Sequence, residues 1–293
     1  MTIIADEHKP DEPKATEPKA KAKGKPAAPP APALTLKKRL IVSLGDKGGV
    51  GKSFIIRKLA EMHMEAKTPD LLLIDGDASV SSIYKFHTET VVPFNLHGTI
   101  DARDQFVNDL LRRGKDLVIA DLPAASLSTL REMASEYSFA DEVAKAGYRM
   151  TVISPVTPYD DPLLDFQEAV SLIDPVAFAA YDAAAGKDPA PAPTDLRADY
   201  VAVVNLVSGE RSDFEEWDAP GGFTKGLLHF VGGVEVEIPL LRPKVAAALQ
   251  LHRLSFKGGE TSEHLAITDR SRLQRWNAAV EDTLRGVGER LGF

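Results

Sequence analysis

Leu40-Ile-Val-Ser-Leu-Gly-Asp-Lys-Gly-Gly-Val-Gly-Lys-Ser-Phe54 is the stretch from which the fold is read. Leu40 to Leu44 is a short apolar run of the kind that forms a buried strand. It leads into Gly45, Gly48, Gly49 and Gly51, then Lys52 and Ser53, after which Ile55, Leu59 and Met62 recur at helical spacing. Strand, glycine-rich turn and helix in that order make a phosphate-binding loop. Glycines let successive backbone N–H groups converge on phosphate oxygens, and the helix beginning near Gly51 adds the positive end of its dipole. Lys52 supplies a point charge for the β- and γ-phosphates. The Ser53 hydroxyl is a ligand for Mg²⁺, and the backbone from Gly48, Gly49, Val50 and Gly51 through Phe54 forms the cradle.

The loop departs from the ordinary G-x-x-x-x-G-K-[ST] pattern, in which position 46 would be glycine. Here Asp46 stands there and Lys47 follows. Lys47-Gly-Gly-Val-Gly-Lys-Ser53 resembles the deviant Walker A motif of the ParA/MinD family of ATPases. The resemblance implies that Lys47 reaches across a homodimer to the partner's nucleotide, much as an arginine finger is supplied in trans. It further implies ATP and Mg²⁺ as cofactors.

Two more strands end in acids. Leu71-Leu-Leu-Ile-Asp-Gly-Asp77 delivers carboxylates to a strand tip, the edge at which open α/β sheets bind ligands. It is similar to the D-x-D opening switch I in that family. By resemblance Asp77 places the attacking water and Asp75 supports the Mg²⁺ environment; helix capping is the plainer alternative for both. The family often has proline after the second Asp, whereas Ala78-Ser79 stands here. Asp116-Leu-Val-Ile-Ala-Asp121 is followed by Leu122-Pro123, resembling the Walker B D-x-P, with Asp121 holding Mg²⁺ through water. Tyr200-Val-Ala-Val-Val-Asn205 reads as a strand ending in an amide. By resemblance Asn205 reads the adenine edge; turn closure is the alternative.

Between these landmarks the pattern predicts a short strand around 91–94, helices over 102–113 and from Leu127, and a strand at Met150–Ser154. A helix beginning near Asp160, a last strand over 234–239 and a closing helix over 269–291 follow. The closing helix carries Leu273, Trp276, Val280, Leu284, Val287 and Leu291 on one stripe. That stripe packs on the sheet or, as in MinD relatives, lies on a membrane surface. Residues 182–195 read as a loop insertion and 208–226 as an excursion with one short helix. Phe214, Trp217 and Phe223 there serve local packing or a partner. The fold class is therefore α/β: a doubly wound, mostly parallel sheet with helices on both faces, a P-loop NTPase over 37–293.

Residues 1–36 are dense in Pro, Ala, Lys and Glu, which predicts a disordered tail; Lys19, Lys21, Lys23 and Lys25 make it a spacer or a weak tether to an acidic partner. The chain has 293 residues, 27% of them charged, a net charge of −8 and no cysteine. Absent cysteine removes disulfides, Fe–S clusters and thiolate zinc sites, and with them several relatives of the loop, such as nitrogenase iron proteins. The acidic balance argues against indiscriminate nucleic-acid coating, though Arg242, Lys244, Arg253, Lys257, Arg270, Arg272 and Arg275 late in the chain provide basic groups for non-specific DNA. No apolar run approaches the ~18 residues of a membrane span, and the polar N-terminus is unlike a secretory signal. The expectation is a cytoplasmic ATPase that dimerises on ATP and positions or partitions a plasmid, chromosomal region or other cargo, with a stimulating partner protein. A MinD-like division-site regulator on the membrane, an ATP-dependent amide-forming enzyme and a non-hydrolysing ATP-reporting module are the alternatives.

Overall fold

The computed structural model describes residues 38–77, 83–184 and 191–293. The Lys19–Lys25 run, Ala78-Ser79 and residues 185–190 of the Ala/Pro-rich insertion lie outside these residues, as do the side chains of Phe106 and Leu111. Seven strands form one parallel sheet: β1 Lys38–Ser43, β2 Leu71–Asp75, β3 Val91–Pro93, β4 Leu117–Asp121, β5 Tyr148–Val156, β6 Ala198–Asn205 and β7 Val234–Ile238. Their order is β3-β2-β4-β1-β5-β6-β7. β1 is central, and the chain passes to opposite sides of it after β1 and after β4, so the C-terminal tip of β1 is the topological switch point.

The strands are near-continuous apolar runs because both faces are covered. Alternation sorts their side chains into two cores. Leu40, Val42, Val118, Ala120, Val152, Tyr200 and Ala202 face one way. Ile41, Leu73, Ile119, Ile153, Val201 and Val203 face the other. The first core is closed by α2 Ile100–Arg113, α3 Ser126–Glu136, α4 Phe139–Lys145, α5 Asp160–Ile173, α6 Pro175–Ala183, α7 Glu215–Asp218 and α8 Phe223–Phe230. The second is closed by α1 Lys52–Glu65, α9 Pro243–Leu251, α10 Phe256–Gly259 and α11 Ile267–Gly286.

α11 begins two residues before the predicted start and gives way after Gly286 to a 3₁₀ turn over Gly288–Leu291, where Gly288 takes φ +65. Its stripe, Leu273, Trp276, Val280 and Leu284, is buried in the second core, so the apolar face is spent on the sheet. Phe214 and Trp217 are likewise buried in the first core, and Trp217 Nε1 donates to Glu235 at 2.9 Å; packing explains both. The 208–226 excursion holds a 3₁₀ turn, α7 and the start of α8 instead of one short helix.

α1 is unusual for its buried charges. Arg57 Nε donates to Glu61 at 2.9 Å and its Nη2 to the Leu254 carbonyl at 2.5 Å, while the guanidinium lies 3.4 Å from the centroid of the Phe86 ring. Glu61 also accepts from the Phe256 N–H at 2.6 Å and contacts His87 Nε2 at 3.2 Å. Lys58 Nζ reaches Asn277 and Glu281 of α11 at 3.0 and 2.7 Å. Burial pushes the Glu61 carboxyl up, but His87, Arg57 and the Phe256 amide outweigh it and hold the group below its ordinary value. At the far end of α1, fully buried His63 contacts Thr68 Oγ1 and the Leu291 carbonyl, and its ring stacks on Phe293. Burial lowers its pKa.

The sheet has two edges. β3 is three residues long and ends in Pro93. Among the described strands β7 pairs only with β6; it carries Glu235 and Glu237, which meet Arg211 at 2.9 and 3.8 Å, and Lys225 also meets Glu235 at 2.8 Å.

Candidate functional site: a phosphate loop at the tip of β1

The glycine-rich segment leaves β1 and enters α1 through Gly51, the N-cap, in the left-handed conformation at φ +100. The first helical bond runs from the Ile55 N–H to the Gly51 carbonyl, so the N–H groups of Lys52, Ser53 and Phe54 have no helical acceptor. These are the donors an anion takes at a helix start. Among the described residues, a Cβ at Gly48 would find only the Ala124 methyl, at 4.0 Å, and one at Gly49 nothing within 4 Å. The described residues leave the space over these two glycines open, as a phosphate cradle requires. The Phe54 side chain takes no part: it packs edge-on against Phe256 and Trp276, with centroids at 5.1 and 5.4 Å.

Lys52 and Lys47 occupy contrasting places. Lys52 is buried, 7% exposed, with its ammonium on the Lys47 carbonyl at 2.6 Å. Burial lowers its pKa, opposed by Asp165, Asp121 and Asp46. Lys47 stands on the rim with its side chain 51% exposed and pairs with Asp161 at 2.7 Å. That hydrogen bond and charge raise its pKa.

The acids sit as follows. β2 and β4 align Asp75 with Asp121, bringing the two carboxylate-bearing tips side by side, both buried. The approach is tight: the Gly76 N–H donates to the Asp121 carbonyl at 2.7 Å, and a Cβ at Gly76 would meet that oxygen at 2.9 Å. Asp75 is committed to the backbone. Its Oδ1 accepts from Asp77 N at 3.1 Å and its Oδ2 from Ile83 and Tyr84 at 2.8 and 2.9 Å. These three backbone donors make Asp75 a brace for the loop after β2, and its Oδ1, which accepts one of them, retains acceptor capacity at the strand tip beside Asp121. Asp77 forms an antiparallel bridge with Asn95 beside it.

Asn205 ends β6 and closes the turn that follows it. It is buried; its Nδ2 donates to the Val50 carbonyl at 3.2 Å and its Oδ1 accepts from Val207 N at 3.2 Å. Its amide braces the phosphate loop and closes its own turn, using one of its two N–H donors and one of its two acceptor lone pairs.

Three groups escaped the motif reading. Asp165 of α5 accepts from the backbone N–H of Asp46 and Lys47 at 2.8 and 3.2 Å, and burial raises its pKa. Asp161 holds Lys47. Asp46 accepts from the first turn of α3. Asp160-Asp161 and the apolar spacing of Leu164, Phe166, Val170 and Leu172 announce α5, but nothing local links its acids to residues over 100 positions upstream. Among the basic residues late in the chain, Lys244 and Arg272 both pair with Asp269 and Lys257 pairs with Glu260.

Burial of Lys52, the open space over Gly48 and Gly49 and the helix-start donors fit a nucleotide phosphate chain; Ser53 at the second position of α1 and Asp121 at the β4 tip supply the oxygen donors Mg²⁺ prefers. No described helix is long and apolar enough to cross a membrane.

No protein-family model and no curated protein matches the chain. Solved structures do. The MinC:MinD cell division complex of Aquifex aeolicus is 13% identical, covering 81% of this chain and 96% of that one, with a TM-score of 0.44. An McdA–ATP complex from Cyanothece is 9% identical over 85% and 96%, at 0.45. Chloroplast FtsY from Physcomitrella patens is 14% identical over 70% and 60%, at 0.40. Overlaps of this extent leave the chemistry to the residues of the loop itself.

Proposed function

We propose that the chain is a Mg²⁺-dependent ATPase that forms an ATP-bridged homodimer and separates on hydrolysis, in the manner of the ParA/MinD proteins its loop resembles. The observation that carries this reading is the placement of two lysines on one short loop: Lys52 buried within it, Lys47 exposed on its rim. Lys52 and the N–H groups of residues 48–54 hold the phosphates, and burial makes each of those contacts stronger than in water. The metal, when bound, neutralises charge on the transferred phosphoryl group. Ser53 and Asp121 would hold it. Asp77 orients the attacking water. Lys47, exposed on the rim and released from Asp161, supplies its charge to a second copy's nucleotide.

In this reading the dimer engages a surface and a partner protein stimulates turnover, so that a plasmid, a chromosomal region or another large assembly is positioned in the cytoplasm. Exposed Arg242, Arg253 and Arg275 suit non-specific DNA as that surface. The test is sedimentation and ATP turnover with Mg²⁺ and a non-hydrolysable ATP analogue. Lys52→Ala abolishes nucleotide binding, whereas Lys47→Ala binds nucleotide but neither dimerises nor hydrolyses it. A wild-type protein that stays monomeric at saturating analogue refutes the dimer cycle.

A further inference from the structure

Asp46 occupies the position where the ordinary phosphate-loop pattern has glycine, and the structure gives it a task glycine has no side chain to perform. α3 starts badly by local chemistry. Its N-cap, Ala125, is held at φ +62 and has no side chain able to accept from the first turn. The missing acceptor comes from the phosphate loop: Asp46 Oδ1 takes the N–H of Leu127 at 2.8 Å and of Ser128 at 3.3 Å, from 81 and 82 positions upstream. The Asp46 carbonyl takes the Ala125 N–H at 3.3 Å. Next to it, Ser126 Oγ donates to the Gly45 carbonyl at 3.4 Å and lies 3.3 Å from the Gly45 N–H. On the other side the Asp46 N–H is fixed by Asp165 of α5 at 2.8 Å. One residue thus joins the phosphate loop, the helix that follows the Asp121 strand and the helix that follows β5.

We propose that Asp46 is a positioning residue that transmits the state of the phosphate loop to α3 by serving as its N-cap. The inference rests on the nucleotide-binding reading above. The backbone N–H groups of Asp46 and Lys47 share Asp165, so a change in the phosphate loop that moves this pair on Asp165 shifts the Asp46 carboxylate relative to Leu127 and Ser128. The first turn of α3 is then held tightly in one loop state and loosely in the other. The cap is charged and faces the positive end of the helix dipole, which strengthens its hold.

Hydrogen exchange of a peptide spanning residues 125–131 tests this, measured with MgADP and with Mg²⁺ and a non-hydrolysable ATP analogue at saturating concentrations. In the wild-type protein the peptide exchanges at different rates in the two nucleotides. In Asp46→Ala it exchanges about fivefold faster without nucleotide, the scale of a lost N-cap, and the difference between nucleotides disappears. Asp46→Asn, which keeps an accepting oxygen and loses the charge, lies between and retains the difference. Peptides from β5 and β6 report whether a variant is folded; if Asp46→Ala is not, Asp46→Asn against wild type carries the comparison through its intermediate rate. Wild-type exchange in a folded Asp46→Ala, an undiminished response to nucleotide in it, or a wild-type peptide that ignores which nucleotide is bound overturns the proposal. A wild-type protein that binds no MgATP instead overturns the nucleotide reading itself, and a fast-exchanging Asp46→Ala peptide would still establish the cap.

Discussion

Replacing Gly51 by alanine probes how the phosphate loop is built. Gly51 has φ +100, where an L-residue with a Cβ costs about 1–2 kcal/mol. The added Cβ would also fall within van der Waals overlap of the Asn205 amide nitrogen. The amide must rotate or withdraw, losing its bond to the Val50 carbonyl and disturbing the one from Val207, each a net of about 1 kcal/mol. Gly51→Ala should therefore destabilise the protein by about 2–4 kcal/mol. With a urea m-value of about 3 kcal/mol/M, the unfolding midpoint falls by roughly 1 M. Asn205→Ala separates the contributions. Alone it loses both amide bonds, about 2 kcal/mol. Once it is in place the overlap is gone, so adding Gly51→Ala costs only the backbone part, about 1–2 kcal/mol. The double variant should be more stable than the sum of the singles by at least about 1 kcal/mol. A Gly51→Ala cost under about 1 kcal/mol, or additive singles, refutes the claim that Asn205 braces this loop.

Three further outcomes follow from the geometry. Glu61→Ala leaves the Arg57 guanidinium buried without its carboxylate and should cost about 3–5 kcal/mol in urea unfolding; a loss under about 1 kcal/mol would show the network to be incidental. Burial depresses the pKa of His63 in the folded protein, so the unfolded chain takes up its proton first as pH falls. The stability tied to neutral His63 is complete above about pH 6.5 and is lost as pH drops toward the folded value. A His63→Asn variant, compared with wild type by unfolding from pH 7.5 to 5, should show a shallower acid-side decline; parallel curves contradict the assignment. Asp161→Ala releases Lys47 from its partner within the same chain and should leave the melting temperature unchanged while tightening ATP-dependent dimerisation in sedimentation, and a weakened dimer would mean that Asp161 guides Lys47 instead of detaining it.

The parts of the site that were legible in sequence are those built from neighbours in the chain. Gly51, Lys52 and Ser53 declare a strand–loop–helix by local conformation and charge, and Asp121 declares itself as an acid at a strand tip. Asp75 and Asn205 were visible as polar strand ends, but their tasks depend on which backbone donors and acceptors fold back to them, Ile83 and Tyr84 for one and Val50 for the other. Asp46, Asp161 and Asp165 act over separations of 81 to 119 residues, which no periodicity records. Arg57, Lys58 and Glu61 invited placement on a solvent face, yet α1 is wedged between sheet and α10–α11, and their partners Leu254, Phe256, Asn277 and Glu281 lie some 200 positions later. α9 is rich in alanine with little contrast between faces, and α6 likewise, so neither announces itself by pattern.

The outer flank of β7 bears on colloidal behaviour. An unpaired strand border recruits strands from other molecules, and an apolar border of this length would seed amorphous association. Here two glutamates alternate along it, with Arg211 and Lys225 clipped across them. A second chain adding itself there would have to strip water from those ions and break their pairing before gaining a single ladder bond. At the opposite border Pro93 withholds an N–H from any newcomer. Both open borders of the sheet are thus guarded against pairing with the edge of another copy.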